Sequence, residues 1–289
     1  MKPARFSYEK PRTLDEALAS LAARGDRAKI IAGGQSLAPM LNMRLAQPGH
    51  LIDINGLASL DEIRMEDQRL VVGALVRHAN LARNDHVRRV CPLLAHAAAT
   101  IGHYAIRERG TIGGSLAHAD PAAQLPLVAI ALDAEMELVS TRRRRTVAAR
   151  DFFLSVFTTA IEPDELLVAA RFPKAHPHEA WGFRLLARRA GDFAIVATAV
   201  VVSLNPDRCV ARLSLAAGGI GPVPVRLDAA GQGAIGASID ERNWMSALAD
   251  AAAAAPDIED AEGIPAVYRR DLVRALVHDA LADAMERLR

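Results

Sequence analysis

The chain has 289 residues, 51% hydrophobic and 24% charged, enough to bury one or two substantial cores and too apolar for a disordered polymer. Its 35 basic and 34 acidic side chains leave a net charge of +1, which gives no electrostatic ground for binding nucleic acid or an anionic membrane. Cys91 and Cys209 are its only cysteines, too few for an iron–sulfur cluster or a disulfide scaffold, and both read as buried apolar residues.

The first residues, Met1 to Ser7, lack the apolar core of a signal peptide, and a cytoplasmic location is expected. Thr13-Leu14-Asp15-Glu16 has the wording of a capping box, with Leu14, Leu18 and Leu21 on one helical face and Gly25 placed to stop the helix. A strand over Ala28–Ile31, a short helical segment over Leu37–Asn42 and a strand over His50–Ile54 complete a βαβ-like lobe, residues 1–57. Strands such as Leu70–Val72 and Met136–Val139 then alternate with helices over Ala79–Arg83 and Pro92–Ile101, which makes residues 58–175 a second lobe. Pro173–His178 is the natural linker. In residues 176–289, Gly182–Ala187, Ala194–Leu204 and Val210–Ala217 read as strands, followed by helices over Trp244–Ala255 and Ala266–Leu288. Phe193–Leu204, the longest apolar stretch, is shorter than the roughly 20 residues a spanning helix needs.

The chemistry concentrates where the apolar run Ile30-Ile31 breaks at Gly33 and Gly34. The N–H groups of Gly34 to Leu37 are then free to converge on one anion, with the Ser36 hydroxyl as a further donor. A second turn, Thr111-Ile112-Gly113-Gly114-Ser115, leads into Ala119-Asp120-Pro121-Ala122-Ala123-Gln124-Leu125-Pro126. Either turn alone is usually just a tight loop; the pair suggests a ligand with two phosphates.

Other motifs favour their plainer readings. Gly231-Gln232-Gly233-Ala234-Ile235-Gly236 matches the dinucleotide pattern, but Pro222 and Pro224 interrupt the strand it requires, so it reads as a loop. Gly34-Gln35-Ser36 lacks the closing glycine of a nucleophile elbow, and Ser36 reads as a donor. His176 and His178 form a solvated pair in a proline-bearing loop, and no metal site is expected. Arg142–Arg145 reads as a charged hairpin tip, with an acidic partner face as the minority reading. For Arg188-Arg189-Ala190-Gly191-Asp192, anion binding and arginine–aspartate bracing both stay open.

Ala-Gly-Gly-Gln-Ser-Leu at 32–37, followed by Thr-Ile-Gly-Gly-Ser-Leu-Ala-His-Ala-Asp-Pro at 111–121, resembles the FAD-binding medium subunits of molybdenum hydroxylases. The resemblance is to the carbon monoxide dehydrogenase medium chain and xanthine dehydrogenase FAD-subunit family. Leu45-Ala46-Gln47-Pro48, Leu51-Ile52-Asp53-Ile54, Ile106-Arg107-Glu108-Arg109-Gly110, Gly191-Asp192-Phe193-Ala194 and Tyr268-Arg269-Arg270 agree with it. It implies an α+β fold: a two-lobed FAD-binding domain of the PCMH (vanillyl-alcohol oxidase-like) type, plus a C-terminal domain of a three-stranded antiparallel sheet with helices.

The resemblance also implies FAD as cofactor, held by Ala32, Gly33, Gly34, Gln35, Ser36 and Leu37 together with Thr111, Gly114 and Ser115. Ile101, Leu167 and Phe193 are expected near the flavin ring, and Arg184 matches a position that is basic in relatives. Gln124 stands where the family often has an acidic residue; its neutral contact implies weaker FAD binding, which Asp120 is placed to offset. No side chain is expected to act as an acid, a base or a metal ligand. The implied partners are a molybdenum-containing large subunit and an iron–sulfur small subunit in a dimer of heterotrimers, with electrons leaving to an external acceptor. The rival readings are a self-contained FAD oxidoreductase of the same fold and a nucleotide-binding interaction module.

Overall fold

Residues 2–239, 243–260 and 263–288 are described by a computed structural model, in which most strands gather into three sheets. The first lobe contains β1 (Ser7–Glu9), α1 (Leu14–Arg24), β2 (Ala28–Ile31), α2 (Leu37–Asn42) and β3 (His50–Asp53). β3 lies between β1 and β2 and runs parallel to both. Thr13 caps α1, its Oγ1 accepting from Glu16 N (3.2 Å), and Leu18 and Leu21 bury the face their spacing marks. The capping box is half made, because Glu16 accepts from Arg12 N (2.7 Å) instead of from Thr13 N.

The second lobe runs through β4 (Ile63–Glu66), β5 (Arg69–Gly73), α3 (His78–Arg83), α4 (Asp85–Val90), α5 (Pro92–Ala99), α6 (Tyr104–Arg109), α7 (Ile112–His118) and α8 (Gln124–Ala131). It continues with β6 (Glu135–Val139), β7 (Arg144–Ala148), α9 (Ala149–Phe152), the hairpin β8 (Phe153–Ser155) and β9 (Thr158–Thr159), and β10 (Leu166–Pro173). Its antiparallel sheet has the order β4-β5-β10-β6-β7. The arginines at 142–145 are all engaged within the chain. Arg142 pairs with Asp164 (2.9 Å), Arg143 with Glu162 and Glu165, Arg144 with Glu137, and Arg145 with Glu165 (2.6 Å). The hairpin reading of this run therefore needs no partner surface.

The third sheet, β11 (Glu179–Ala187), β12 (Ala194–Leu204), β13 (Val210–Gly218) and β14 (Val225–Arg226), is antiparallel in that order. Its fourth strand, absent from the three-stranded expectation, is two residues long and gives no apolar run to detect. α10 (Asp228–Gln232), α11 (Trp244–Ala254) and α12 (Ala266–Arg287) follow. One face packs on α11 and α12 around Val196, Val200 and Val202. The other packs on α8, whose eight residues are all buried, as befits a helix that is apolar all round. Ser214 Oγ fixes this second contact by donating to Ala131 O (2.5 Å).

Gly231 and Gln232 close α10 and the following glycines lie in turns, so the dinucleotide-like pattern has no strand-to-helix crossing. Cys91 is buried, and desolvation pushes its thiol up to about 12. Cys209 departs from expectation. It is only half-buried, held at the turn by its N–H donating to Asn205 Oδ1 (2.8 Å). Among the described residues no helix is long and apolar enough to cross a membrane.

Candidate cofactor site

In the first lobe's parallel sheet the chain leaves β2 at its C-terminal end, the end where open α/β sheets bind ligands. The next residues turn sharply, with Gly34 at φ +70°, a conformation that a Cβ penalises. Ala38 N is the first to close back, on Gly34 O (3.0 Å). The N–H groups of Gly34, Gln35, Ser36 and Leu37 thus precede the helical bonding of α2 and are open to an anion. The Gln35 side chain braces the turn by donating to Gly33 O (3.0 Å).

Gly33 brings the second turn in. A Cβ there would stand 2.4 Å from Arg109 O and 2.9 Å from Gly110 Cα, so the first turn meets the end of α6, which leads directly into the second turn, backbone to backbone only because residue 33 has no side chain. Side chains fasten the contact. Asn55 Nδ2 donates to Ala32 O (2.7 Å), Arg77 Nη2 donates to Asn55 Oδ1 (2.8 Å), and Arg77 Nη1 donates to Arg109 O. Asp53 accepts from Asn55 N (2.9 Å) and from Tyr8 Oη (2.6 Å). Burial pushes the Asp53 carboxyl up, but these hydrogen bonds and nearby Lys10 outweigh it and hold the group below its ordinary range.

The second turn is built differently from the first. Ile112 N donates to Val76 O (3.0 Å), Gly113 N to Ala74 O (2.9 Å), Gly114 N to Thr111 Oγ1 (3.0 Å) and Ser115 N to Thr111 O (3.0 Å). Its amides are therefore engaged within the protein. What it offers a ligand is the close approach of exposed Gly114 and the Ser115 hydroxyl. Thr111 is buried as the N-cap of α7 and serves as scaffold.

Beneath this turn sits His78, whose ring a Cβ on Gly110 would meet at 2.8 Å. Burial lowers its pKa to about 4, opposed by the Thr111 backbone and helped to a smaller extent by Arg77 and Arg107, and neither ring nitrogen has a well-formed hydrogen bond. The imidazole is neutral at pH 7, and the positive charge beside the turn belongs to the arginines.

The remaining expected residues divide. Ile101 packs against the core cluster that contains Leu167, and Arg107 Nη1 holds its segment by donating to Ile101 O (2.8 Å) and Gly102 O (2.7 Å). Asp120 accepts from Ala122 N (2.8 Å) and shapes the turn into α8, where Gln124 is buried. Pro121 O accepts from Gly219 N (2.9 Å), which ties that turn to the third sheet. Phe193 is 61% exposed at the start of β12, on a loop that rests against His103 through Gly191. Arg184 forms an ion pair with Asp283 (2.6 Å) and braces β11 against α12.

The sequence reading missed Asn55 and Arg77, the side chains that join the turns. Asn55 had a signal, since it directly follows the strand ending Leu51-Ile52-Asp53-Ile54; Arg77 had none. The cradle joins open amides, two serine hydroxyls and neighbouring guanidinium groups, and Asp53, the carboxylate that braces Asn55, is hydrogen-bonded on both oxygens. That donor set fits a diphosphate.

Comparison with known proteins agrees with this chemistry. The family described as the FAD binding domain in molybdopterin dehydrogenase matches residues 4–175, and the CO dehydrogenase flavoprotein C-terminal domain matches residues 181–284. The chain is 39% identical to the 6-hydroxypseudooxynicotine dehydrogenase complex subunit alpha of Paenarthrobacter nicotinovorans, over 100% of the chain and 97% of the relative. It is 36% identical to the carbon monoxide dehydrogenase medium chain of Hydrogenophaga pseudoflava, over 99% of each. A solved structure of carbon monoxide dehydrogenase from that organism, lacking the Mo-pyranopterin moiety of its molybdenum cofactor, superimposes with a TM-score of 0.95 at 36% identity and 99% coverage of both chains.

Proposed function

The chain belongs to the FAD-binding medium subunits of the molybdenum hydroxylases, and from that premise we propose that it takes electrons from iron–sulfur clusters of a companion subunit and delivers them to an external acceptor. It is the flavoprotein subunit of an oxidoreductase. Its cofactor is FAD, which when bound supplies the carrier chemistry linking single-electron donors to a two-electron acceptor. Each task of the protein is positional. The amides of Gly34–Leu37, with Ser36 and Ser115, hold the diphosphate, and Arg77 and Arg107 set the local potential in its favour. Ile101, Leu167 and Phe193 shield the ring, while Asp120 and Gln124 hydrogen-bond the cofactor's hydroxyls. Arg184 stays in this set as a cation whose side chain is still 48% exposed beside Asp283.

The observation that carries this reading is the backbone contact of Gly33 with Arg109, which turns two separate loops into one cradle. The proposed companions are a molybdenum-containing large subunit and an iron–sulfur small subunit, assembled as a dimer of heterotrimers. Two relatives are named for different substrates, 6-hydroxypseudooxynicotine and carbon monoxide, so the oxidised compound is set on the large subunit.

The test is the visible spectrum of the purified chain before and after addition of FAD, followed by turnover assays. Releasable flavin at about one per chain, without substrate oxidation until the companions are added, is the expected result; a bound ligand must also raise thermal stability by mass action. Failure to bind FAD sinks the reading. Substrate turnover by the isolated chain replaces it with a self-contained oxidoreductase.

A further inference from the structure

β1 and β3 run parallel with Ser7 directly opposite His50. Alternate residues of a strand share a face, so Ser7 and Glu9 project to one side of the sheet, and both reach the His50 ring. Ser7 Oγ lies 2.6 Å from Nδ1, and Glu9 Oε1 lies 3.3 Å from Nε2. The imidazole is buried, with 7% of its side chain exposed, while Ser7 is open to solvent. A serine, a histidine and a carboxylate thus stand in line on the far side of the first lobe's chain order, a grouping recognised by geometry and not by sequence position.

Helix α1 fixes the acid. Ser20 Oγ donates to Glu9 Oε1, and Arg24 Nη2 pairs with Glu9 Oε2 (3.6 Å); Ser20 and Arg24 are four residues apart and so lie on one helical face. The held carboxylate selects the ring's tautomer, because a lone pair on Nε2 would face negative oxygen while an Nε2–H is attracted to it. Nδ1 then carries the lone pair and the Ser7 hydroxyl donates to it. The other acceptor near Ser7 Oγ is Gly49 O, which is farther at 3.2 Å and already accepts from Ser7 N (3.0 Å). Nε2 makes no well-formed hydrogen bond at rest, so the Glu9 contact has room to tighten when the ring takes a proton.

We propose that Ser7 is an acyl-accepting nucleophile, with His50 as its general base and Glu9 as the residue that positions the base. Ser7 Oγ attacks the carbonyl carbon of an activated acyl donor, a thioester or an aryl ester, and its proton passes to His50 Nδ1. The carbon–sulfur or carbon–oxygen bond of the donor breaks, the leaving thiol or phenol takes that proton, and the acyl group stays on Ser7 as an ester. Nothing is oxidised or reduced. None of the three residues belongs to the cofactor cradle, so the acylation site stands apart from the flavin reading.

The test treats the full, FAD-loaded chain with p-nitrophenyl acetate and follows released nitrophenol, the acetylated peptide by mass and FAD per chain. The wild type is expected to gain about one acetyl group per chain, on Ser7, and Ser7→Ala to lose it with FAD unchanged. His50→Gln slows acetylation by about a hundredfold, the scale of a lost general base, and abolishes its pH dependence. Glu9→Gln shifts the pH profile, which a purely structural carboxylate would leave in place. Because His50 is buried, Ser7→Cys supplies a second measure that keeps the ring: its thiol should react with iodoacetamide at about pH 6 roughly tenfold faster than free cysteine. Acetyl groups only on other residues, wild-type acetylation of Ser7 in His50→Gln, or a Ser7→Cys thiol no faster than free cysteine overturns the acylation site, and FAD content reports on the cofactor reading independently.

Discussion

Gly33 and Arg109, far apart in sequence, are in direct backbone contact, with room for no atom between the glycine Cα and the arginine carbonyl. Gly33→Ala must push the two turns apart. Overpacking of a closed contact costs about 1–3 kcal/mol, and the diphosphate loses its cradle as well. The expected outcome is a chain that folds with a lowered melting temperature and retains less than a tenth of wild-type FAD, read from flavin absorbance per chain.

Gly34 separates space from conformation. A Cβ there would meet nothing nearer than 3.6 Å, but its φ is +70°. Gly34→Ala is expected to destabilise the turn by about 1–2 kcal/mol through the backbone alone. Gly34→Asn, whose side chain tolerates that region, recovers most of the loss. Denaturant midpoints and FAD titration of the two variants check this, and equal damage by both would refute it.

Arg77 reaches Asn55 and the Arg109 carbonyl with two nitrogens of one guanidinium. Arg77→Lys supplies a single point donor and is expected to behave like Arg77→Ala in FAD affinity. The Arg77→Ala and Asn55→Ala changes share one network, so their effects on stability fall short of additivity by about 0.5–3 kcal/mol. A double-mutant cycle with simple additivity argues against the linkage.

His78 gives the fold a pH dependence. In the unfolded chain it takes a proton near pH 6.5, and in the folded chain only near 4. Between those values the unfolded state holds more protons, so stability is full above about 6.5 and declines as pH falls towards 4. The group contributes about 3 kcal/mol of that decline at most. Chemical unfolding at pH 7.5 and 4.5 should show a shallower loss in His78→Asn than in the wild type.

Glu165 has a fully buried side chain and accepts from Arg145 at 2.7 and 2.6 Å. Arg145→Ala leaves that carboxylate short of its main partner and is expected to cost about 3 kcal/mol. Arg142, 69% exposed beside Asp164, is worth no more than about 1 kcal/mol. Thermal melts of the two alanine variants decide between this ranking and equal roles for the run.

The long apolar strands were legible because they alternate or run continuously: Ala194–Leu204 has the same limits in sequence and structure. The glycine turns were legible as turns because residue type alone marks them. Their union was not, since it depends on Arg109 O meeting Gly33, a contact between lobes that no local pattern encodes. The difference between the turns was equally hidden. Whether an amide is free depends on which carbonyl faces it, and the partners of Ile112 and Gly113 lie in the strand-end segment at Val76 and Ala74. Cys209 was misread as buried because composition cannot tell a half-covered turn residue from a core one.

α8 has buried faces on both sides, one against the second lobe and one against β12 and β13. A single core cluster joins Leu127 and Met136 to Phe183, Ala199 and Ala216. The short connection at 174–178 is thus a joint in the chain and not in the interior. Cutting there would yield an N-terminal fragment with a bare apolar helix and a C-terminal fragment with a bare sheet face, both prone to aggregate. A chimera that takes its third sheet from a relative must bring the matching surface of α8 with it.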